Sequence, residues 1–517
     1  MIRNAVAGLF LASFLLVAPT KAQEKRIVLK PELMKPDISY FNSLDSEDVV
    51  NAISNEKTYE FLSKQIPLFD CPDSAIKKIY YYRWWTMRKH LKQTPDGYVF
   101  TEFLTPMKHG GKYNAISSAV GLQLNEARWF YNQEIVKQYA NFWLNVDANE
   151  AKPHLHNFSN WLAWSFLDIY KVDHQLDFVK RNLQALNKDY HQWEDERQNP
   201  DQTFWQYDVR DAMEESISGG RREKNVRPTI NSYMYGSAKA MSIMAGLAGV
   251  DSLKAKYQLK AEALKNIVET KLWNSESGFF EVVKEKGGFA QAREAIGFIP
   301  WYFNLPADDK KYEVAWHQLV DTAGFCAPWG LTTAERRHPG FRTHGSGHGC
   351  EWDGAIWPYA TTQTLTALSN YINNYKNHDA MSADVFYKEL HKYAMAHVKQ
   401  GNTYIGEYQD EKTGQWLKGN KSARSRFYHH SSYVDLVISD LIGLKPQIDD
   451  TLLIQPLVPQ NKWDWFCLDG VQYHGKTFTI IWDKNGKKYG KGKGFLVFQD
   501  GKRIHKSNKL KSIKKSL

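Results

Sequence analysis

The sequence predicts a mainly α-helical protein closed off by a small β unit, and three observations carry that prediction. Between residues 76 and 446, long stretches hold apolar side chains at three- and four-residue spacing, the signature of helices with one buried face. The segments between them collect the aromatic, glycine and acidic residues. After Pro446 the texture changes to short runs of β-branched and aromatic residues separated by turn sequences. At 517 residues, 43% of them apolar and 14% aromatic, the chain is too long for one small domain and too apolar to be disordered or fibrous.

The elements follow in order. Residues 1–22 have a basic start at Arg3, an apolar run from Ala5 to Val17 and the small-residue ending Thr20-Lys21-Ala22, which together predict a secretory signal peptide. The run is too short to span a bilayer, and no later segment is long enough, so the mature protein is expected to be exported without a membrane span, to periplasm or exterior. Residues 23–75 form a lead-in with turn signals at Lys35-Pro36-Asp37 and Asn42-Ser43-Leu44-Asp45. Within 76–446, helical patterns cover Asn157–Tyr170, Leu176–Arg197, Ile230–Leu247, Leu253–Lys271, Ala360–Tyr375 and Ala383–Val398. Successive helices with functional loops between them imply helical hairpins in a ring or bundle. In 447–517, Leu452–Pro456, Thr477–Trp482 and Gly494–Phe498 read as strands, with turns at Asp483-Lys484-Asn485-Gly486 and Asp500-Gly501.

The net charge of +10 comes from this last segment, where about a dozen Lys and Arg from Lys484 to Lys515 face a single Asp. The expectation is a solvated, frayed tail, with attraction to acidic glycan or cell envelope as the other reading. An exported chain leaves nucleic acid out. The four cysteines, Cys71, Cys326, Cys350 and Cys467, are too widely spaced to show a disulfide framework. Cys350 follows His344 and His348, but the spacing matches no common zinc pattern, and neither metal nor cofactor is expected.

Two acidic stretches carry the chemistry. Arg210-Asp211-Ala212-Met213-Glu214-Glu215-Ser216 leads through Gly219-Gly220 to Arg227-Pro228-Thr229-Ile230-Asn231, where a helix begins. Gly406-Glu407-Tyr408 precedes the turn at Thr413-Gly414 and then Arg426-Phe427-Tyr428-His429-His430. One carboxyl that donates a proton and a distant one that activates water are the minimal equipment for glycosidic bond cleavage. Ordinary polar loops with salt-bridged glutamates fit the same residues. A third segment, His348-Gly349-Cys350-Glu351-Trp352-Asp353-Gly354-Ala355-Ile356-Trp357-Pro358, mixes indoles, carboxylates and a histidine as a sugar-binding cleft does. Its competing reading is packed core. Arg83, Trp84 and Trp85, with Tyr98 and Glu102 downstream, either wall one end of that cleft or form a Trp-rich packed helix.

The helical region resembles the six-hairpin glycosidases that include processing α-glucosidase I and the mannosylglycerate hydrolases, whose fold is an (α/α)6 toroid. Met213-Glu214-Glu215-Ser216 is similar to the family's Gly-Met-Asp-Asn-Ser-Pro, with Glu for the acidic Asp and Ile217 in place of Pro. Trp352-Asp353-Gly354-Ala355-Ile356-Trp357 resembles its Trp-Arg-Gly-Pro-Val-Trp pocket segment, and Glu407-Tyr408 with Thr413-Gly414 resembles its Glu-Tyr-Tyr-Asn-Pro-Glu-Thr-Gly. Asn157–Trp164 and His191-Gln192-Trp193 are similar to the stretch ahead of the acid loop. The resemblance implies an inverting α-glycosidase of exo mode, with Glu214 as general acid, Asp211 in reserve, and Glu407 as general base. Substrate contacts are then expected from Trp84, Trp85, Trp164, Arg210, His348, Glu351, Trp352, Asp353, Trp357, Tyr408, His429 and His430, and the partner is an oligosaccharide or a polysaccharide-derived glycan. A toroidal polysaccharide lyase using Tyr428 and His429, or a non-catalytic glycan-binding protein, are the alternatives.

Overall fold

A computed structural model describes residues 26–145, 155–343, 349–417 and 423–517. The signal-peptide reading therefore lies outside the described residues. Among the described residues, two helices come first, α1 (Lys35–Ser43) and α2 (Asn55–Gln65). Twelve more follow: α3 (Ser74–His90), α4 (Val120–Ala127), α5 (Gln133–Asn145), α6 (Leu162–Asp173), α7 (Leu176–Arg197), α8 (Pro228–Leu247), α9 (Asp251–Ile267), α10 (Ile299–Tyr302), α11 (Glu313–Val320), α12 (Pro358–Asn374), α13 (Ala383–Met395) and α14 (Tyr433–Asp435). Residues Leu436–Leu441 continue α14 as a π-helical turn.

Local chemistry starts several of these helices. The Asp73 side chain accepts from the amides of Ala75 and Ile76, and Pro228 and Pro358 occupy first-turn positions where a missing N–H costs nothing. Even-numbered helices from α4 to α14 contact one another in a closed ring, and odd-numbered helices from α3 to α13 pack outside them. Burial follows this division. Outer helix α7 buries one stripe (Phe178, Val179, Leu183, Leu186, Tyr190 and Trp193), whereas inner helix α8 is buried over most of its circumference. The architecture is the expected (α/α)6 toroid with a small β domain.

Each inner helix begins at one end of the ring, the mouth, and ends at the base. The base is covered by the β domain, an antiparallel five-stranded sheet beside a three-stranded one. The lead-in does more than precede the barrel. Leu68–Asp70 is the edge strand of the larger sheet, Leu68 facing Asp469 and Asp70 facing Cys467. Asp469 also accepts the amides of Val28 and Leu29 at 2.7 and 2.6 Å. Nor does the chain fray at its end, because Ile513–Ser516 pairs with Thr451–Ile454 in the smaller sheet. In that last strand Ile513 alone is buried, while Lys514, Lys515 and Ser516 stay exposed.

Candidate active site

At the mouth lies a cavity of about 310 Å3 lined by Glu102, Glu214 and Glu407 together with Arg210, Phe158, Trp352, Trp357, Tyr359, Arg424, Tyr428 and His430. The segments that enter α4, α6, α8, α12 and α14 all contribute, so the ring itself brings these distant residues together.

Glu214 is presented by a loop whose backbone is tightly held. Ala212 and Glu215, on either side, have φ of 58° and 65°, in the left-handed region that side chains seldom adopt. Met213 between them is buried in the core, and its amide donates to Asp208 O at 3.0 Å. The plug and the two left-handed residues turn Glu214, half-buried, into the cavity.

Glu407 is fixed from two sides. Ile356 and Gln409 exchange backbone hydrogen bonds at 2.9 Å, which ties the Glu407 loop to the Trp352–Trp357 segment. Asp410 accepts the amides of Lys412 and Thr413, closing the turn beyond it. Ser425 Oγ donates to Glu407 Oε2 at 2.9 Å.

Glu102 forms the third carboxyl. Tyr428 donates its hydroxyl to Oε1, and Ser118 Oγ donates to Oε2 at 3.0 Å. Burial, opposed by the two hydrogen bonds and aided by the charges of Glu407 and Glu214, pushes this carboxyl up to about 7. Both carboxylates are therefore within electrostatic reach of Glu102. Burial and the neighbouring Glu102 push the Tyr428 phenol far above its ordinary value, and burial holds the His430 imidazole well below its own.

The aromatic wall is a stack. Trp352 lies on Trp357 at 4.4 Å and 22°, and Trp357 lies on Tyr408 at 4.7 Å and 17°. Trp352 and Trp357 face the cavity, whereas Tyr408 backs them.

Of the residues expected from sequence, Glu214, Glu407, Arg210, Trp352, Trp357 and His430 line this cavity. His348 lies outside the described residues. The remaining expectations need correction. Trp84 and Trp85 are fully buried on α3: Trp84 packs on Phe130, while Trp85 stacks on Tyr82 and donates Nε1 to Asn42 at 2.8 Å. Trp164 faces the opposite end of the barrel, packing on Phe303 beneath Lys171. Asp211 is a buried anchor, holding Arg227 Nε at 2.6 Å, Ser159 Oγ at 2.6 Å and the Thr229 hydroxyl, so its oxygens are already taken. Asp353 is bound by Arg342 and walls a neighbouring hollow with Glu215. Glu351 is buried, and its backbone carbonyl accepts Trp357 Nε1 at 2.9 Å. His429 turns away toward Glu126, 3.6 Å from Nε2. The histidine beside Tyr428 is His430, with ring centres 3.9 Å apart, rather than His429 as expected.

The mouth offers carboxylates and hydroxyls but no cluster of metal-binding side chains among the described residues; His174, His474 and Asp450 do converge at the base. The two imidazoles there stack parallel, 2° and 4.1 Å apart, so one ion cannot lie in both ring planes.

The model of the mannosylglycerate hydrolase MGH1-like glycoside hydrolase domain matches residues 112–431. The chain belongs to this family of glycoside hydrolases. Residues 445–505 match the C-terminal domain of glycosyl hydrolase family 65, which coincides with the β domain. A solved structure named sialidase superimposes with a TM-score of 0.93 and 46% identity over 96% of this chain, but this chain covers only 46% of that one. A GH63 mannosylglycerate hydrolase from Thermus thermophilus, in complex with glucose, shares the fold at 13% identity and a TM-score of 0.52, over 69% of this chain and 98% of its own. A curated but uncharacterized protein of Borreliella burgdorferi is 21% identical over 225 residues, 44% of this chain and 45% of its own. The chain thus spans less than half the length of the sialidase-named protein and of the curated relative.

Proposed function

We propose that this glycoside hydrolase is an exported, inverting exo-glycosidase acting on α-linked oligosaccharides, with Glu214 as general acid and Glu407 as general base. The observation that carries the reading is the convergence of these two loop-borne glutamates on one aromatic-walled cavity. Glu214 gives its proton to the glycosidic oxygen as the bond to the anomeric carbon breaks. Glu407 removes a proton from a water molecule that attacks that carbon from the opposite face. Ser425, donating to Oε2 at 2.9 Å, holds the Glu407 carboxylate in position. Trp352 and Trp357 supply the flat apolar surface against which a sugar ring packs. The size of the cavity suits a terminal sugar unit, which supports the exo mode. Export rests on the sequence of residues 1–22. The sialidase name belongs to a protein more than twice as long and lends no substrate to this chain.

The test is proton NMR of the purified protein acting on a panel of α-linked oligosaccharides. Inversion predicts that the released sugar appears first as the β-anomer. Glu407→Gln and Glu214→Gln are each expected to lower kcat by about 10²–10⁴-fold. Release of the α-anomer first, or unimpaired turnover by either variant, would overturn the assignment.

A further inference from the structure

A second cavity, of about 440 Å3, lies inside the base of the barrel, and the chemistry at the mouth makes no use of it. The inner helices wall it, and residues of Lys445–Gln455 from the β domain line its outer side. Its volume is in the range of roughly 300–1,000 Å3 found for small-molecule sites.

Charge in this wall is unbalanced. Asp435 takes Arg128 at 2.8 Å, Asp168 takes Lys171 at 3.0 Å, and Asp440 takes Lys445. Lys239 is a fourth cation in the same wall; among the described residues it has no ion pair, and its ammonium lies 5.7 Å from the centre of the Tyr235 ring. Burial, followed by the charges of Lys171 and Lys265, pushes its ammonium down to about 8. Cations near helix C-termini are ordinary, since they offset the dipole, and Arg128 and Lys171 stand at the ends of α4 and α6. Lys239 sits in the middle of α8, two turns before its end, where that explanation does not apply.

Hydrogen bonding is unbalanced as well. Asn125, 5% exposed, donates Nδ2 to Tyr302 Oη at 2.7 Å, while its buried Oδ1 receives no hydrogen bond from the protein. Asn304, Asn370 and Asn374 add further amides to the wall, and Trp164 adds an indole. One surplus positive charge suits a monoanion better than a phosphate dianion. The amides and the indole suit a hydroxylated ring.

We propose that the basal cavity is a second, non-catalytic binding site for a small sugar carboxylate, with the carboxylate on Lys239 and its hydroxyls on the amides of the wall. Water molecules alone are the competing occupants.

Glucuronate is the probe, with glucose as its neutral counterpart, in calorimetric titrations of the full chain carrying Glu407→Gln. One glucuronate per chain is expected, glucose binding at least tenfold more weakly. Lys239→Met should weaken glucuronate at least tenfold, Lys239→Arg should retain it, and Trp357→Ala at the mouth should leave it unchanged. Circular dichroism of each variant checks the fold. No binding of glucuronate, equal binding by Lys239→Met, or loss in Trp357→Ala but not in Lys239→Met would each overturn the proposal.

Discussion

The carboxyls near the mouth differ in what they hold, and the differences can be measured one residue at a time. Glu102 is 5% exposed, and burial pushes its carboxyl up to about 7, against about 4.3 for a free glutamate. Because the folded value is raised, folding favours the protonated form: the contribution is complete below about pH 4.3 and is lost as pH rises through about 7. The gap corresponds to about 4 kcal/mol at most. Glu102→Gln stays neutral throughout, so its urea midpoint should fall less than that of the native protein between pH 5 and 8.5. Parallel pH profiles would show that Glu102 is ionised in the fold across this range. Asp211 calls for a different measurement. Its ion pair with Arg227 is fully buried on both sides, and removing one partner strands the other charge at a cost of about 3–5 kcal/mol. Asp211→Asn should therefore lose stability in urea unfolding, whereas Glu214→Gln should lose activity with stability nearly intact. A stable Asp211→Asn protein that has lost only turnover would return Asp211 to the chemistry.

Among the elements, inner helices approach closely where glycine permits it. A Cβ on Gly121 of α4 would stand 2.2 Å from the Trp161 ring, and one on Gly236 of α8 would meet Phe303 at the same distance. Alanine is the better helix former by about 1 kcal/mol, but overpacking costs about 1–3 kcal/mol or more. The clash wins because Trp161, fully buried among Tyr233, Tyr302 and Phe303, has nowhere to move. Gly121→Ala is expected to destabilise by about 1–2 kcal/mol in urea, and a stabilised variant would mean the ring shifts freely. The same contrast decides what could be read from sequence. Outer helix α7 runs from Leu176 to Arg197 as its one-faced periodicity predicts, since solvent on the other face keeps the pattern legible. Helix α3 is buried nearly all round, so its Trp84 and Trp85 have no polar face to mark them as packing residues rather than a cleft wall. Glu214, Glu407, Trp352 and Trp357 are marked by short linear motifs. Glu102 sits in no such motif. Only closure of the ring sets it beside Tyr428, some three hundred residues away.

For the molecule as a whole, the β domain and the barrel share their parts. Leu68–Asp70 comes from before the first barrel helix yet completes the sheet made by the last hundred residues. Tyr80 and Tyr81 of α3 donate to Pro67 O and Phe69 O at 2.8 and 2.7 Å, so that edge strand is bonded to the barrel as well as to the sheet. From the other side, His474 in the turn after Trp465–Tyr473 donates its amide to Val172 O, near the end of α6, at 2.9 Å. Neither body can unfold without stripping hydrogen bonds and apolar surface from the other, which makes the two one cooperative unit. Calorimetry should give a single transition with equal calorimetric and van't Hoff enthalpies. A chain ended at Pro446 should lose that transition, because it leaves Leu68–Asp70 as an unpaired edge and uncovers the base of the barrel. Two separable transitions in the full chain, or a sharp melt in the shortened one, would mean that the barrel folds independently and that the contacts across the base contribute little.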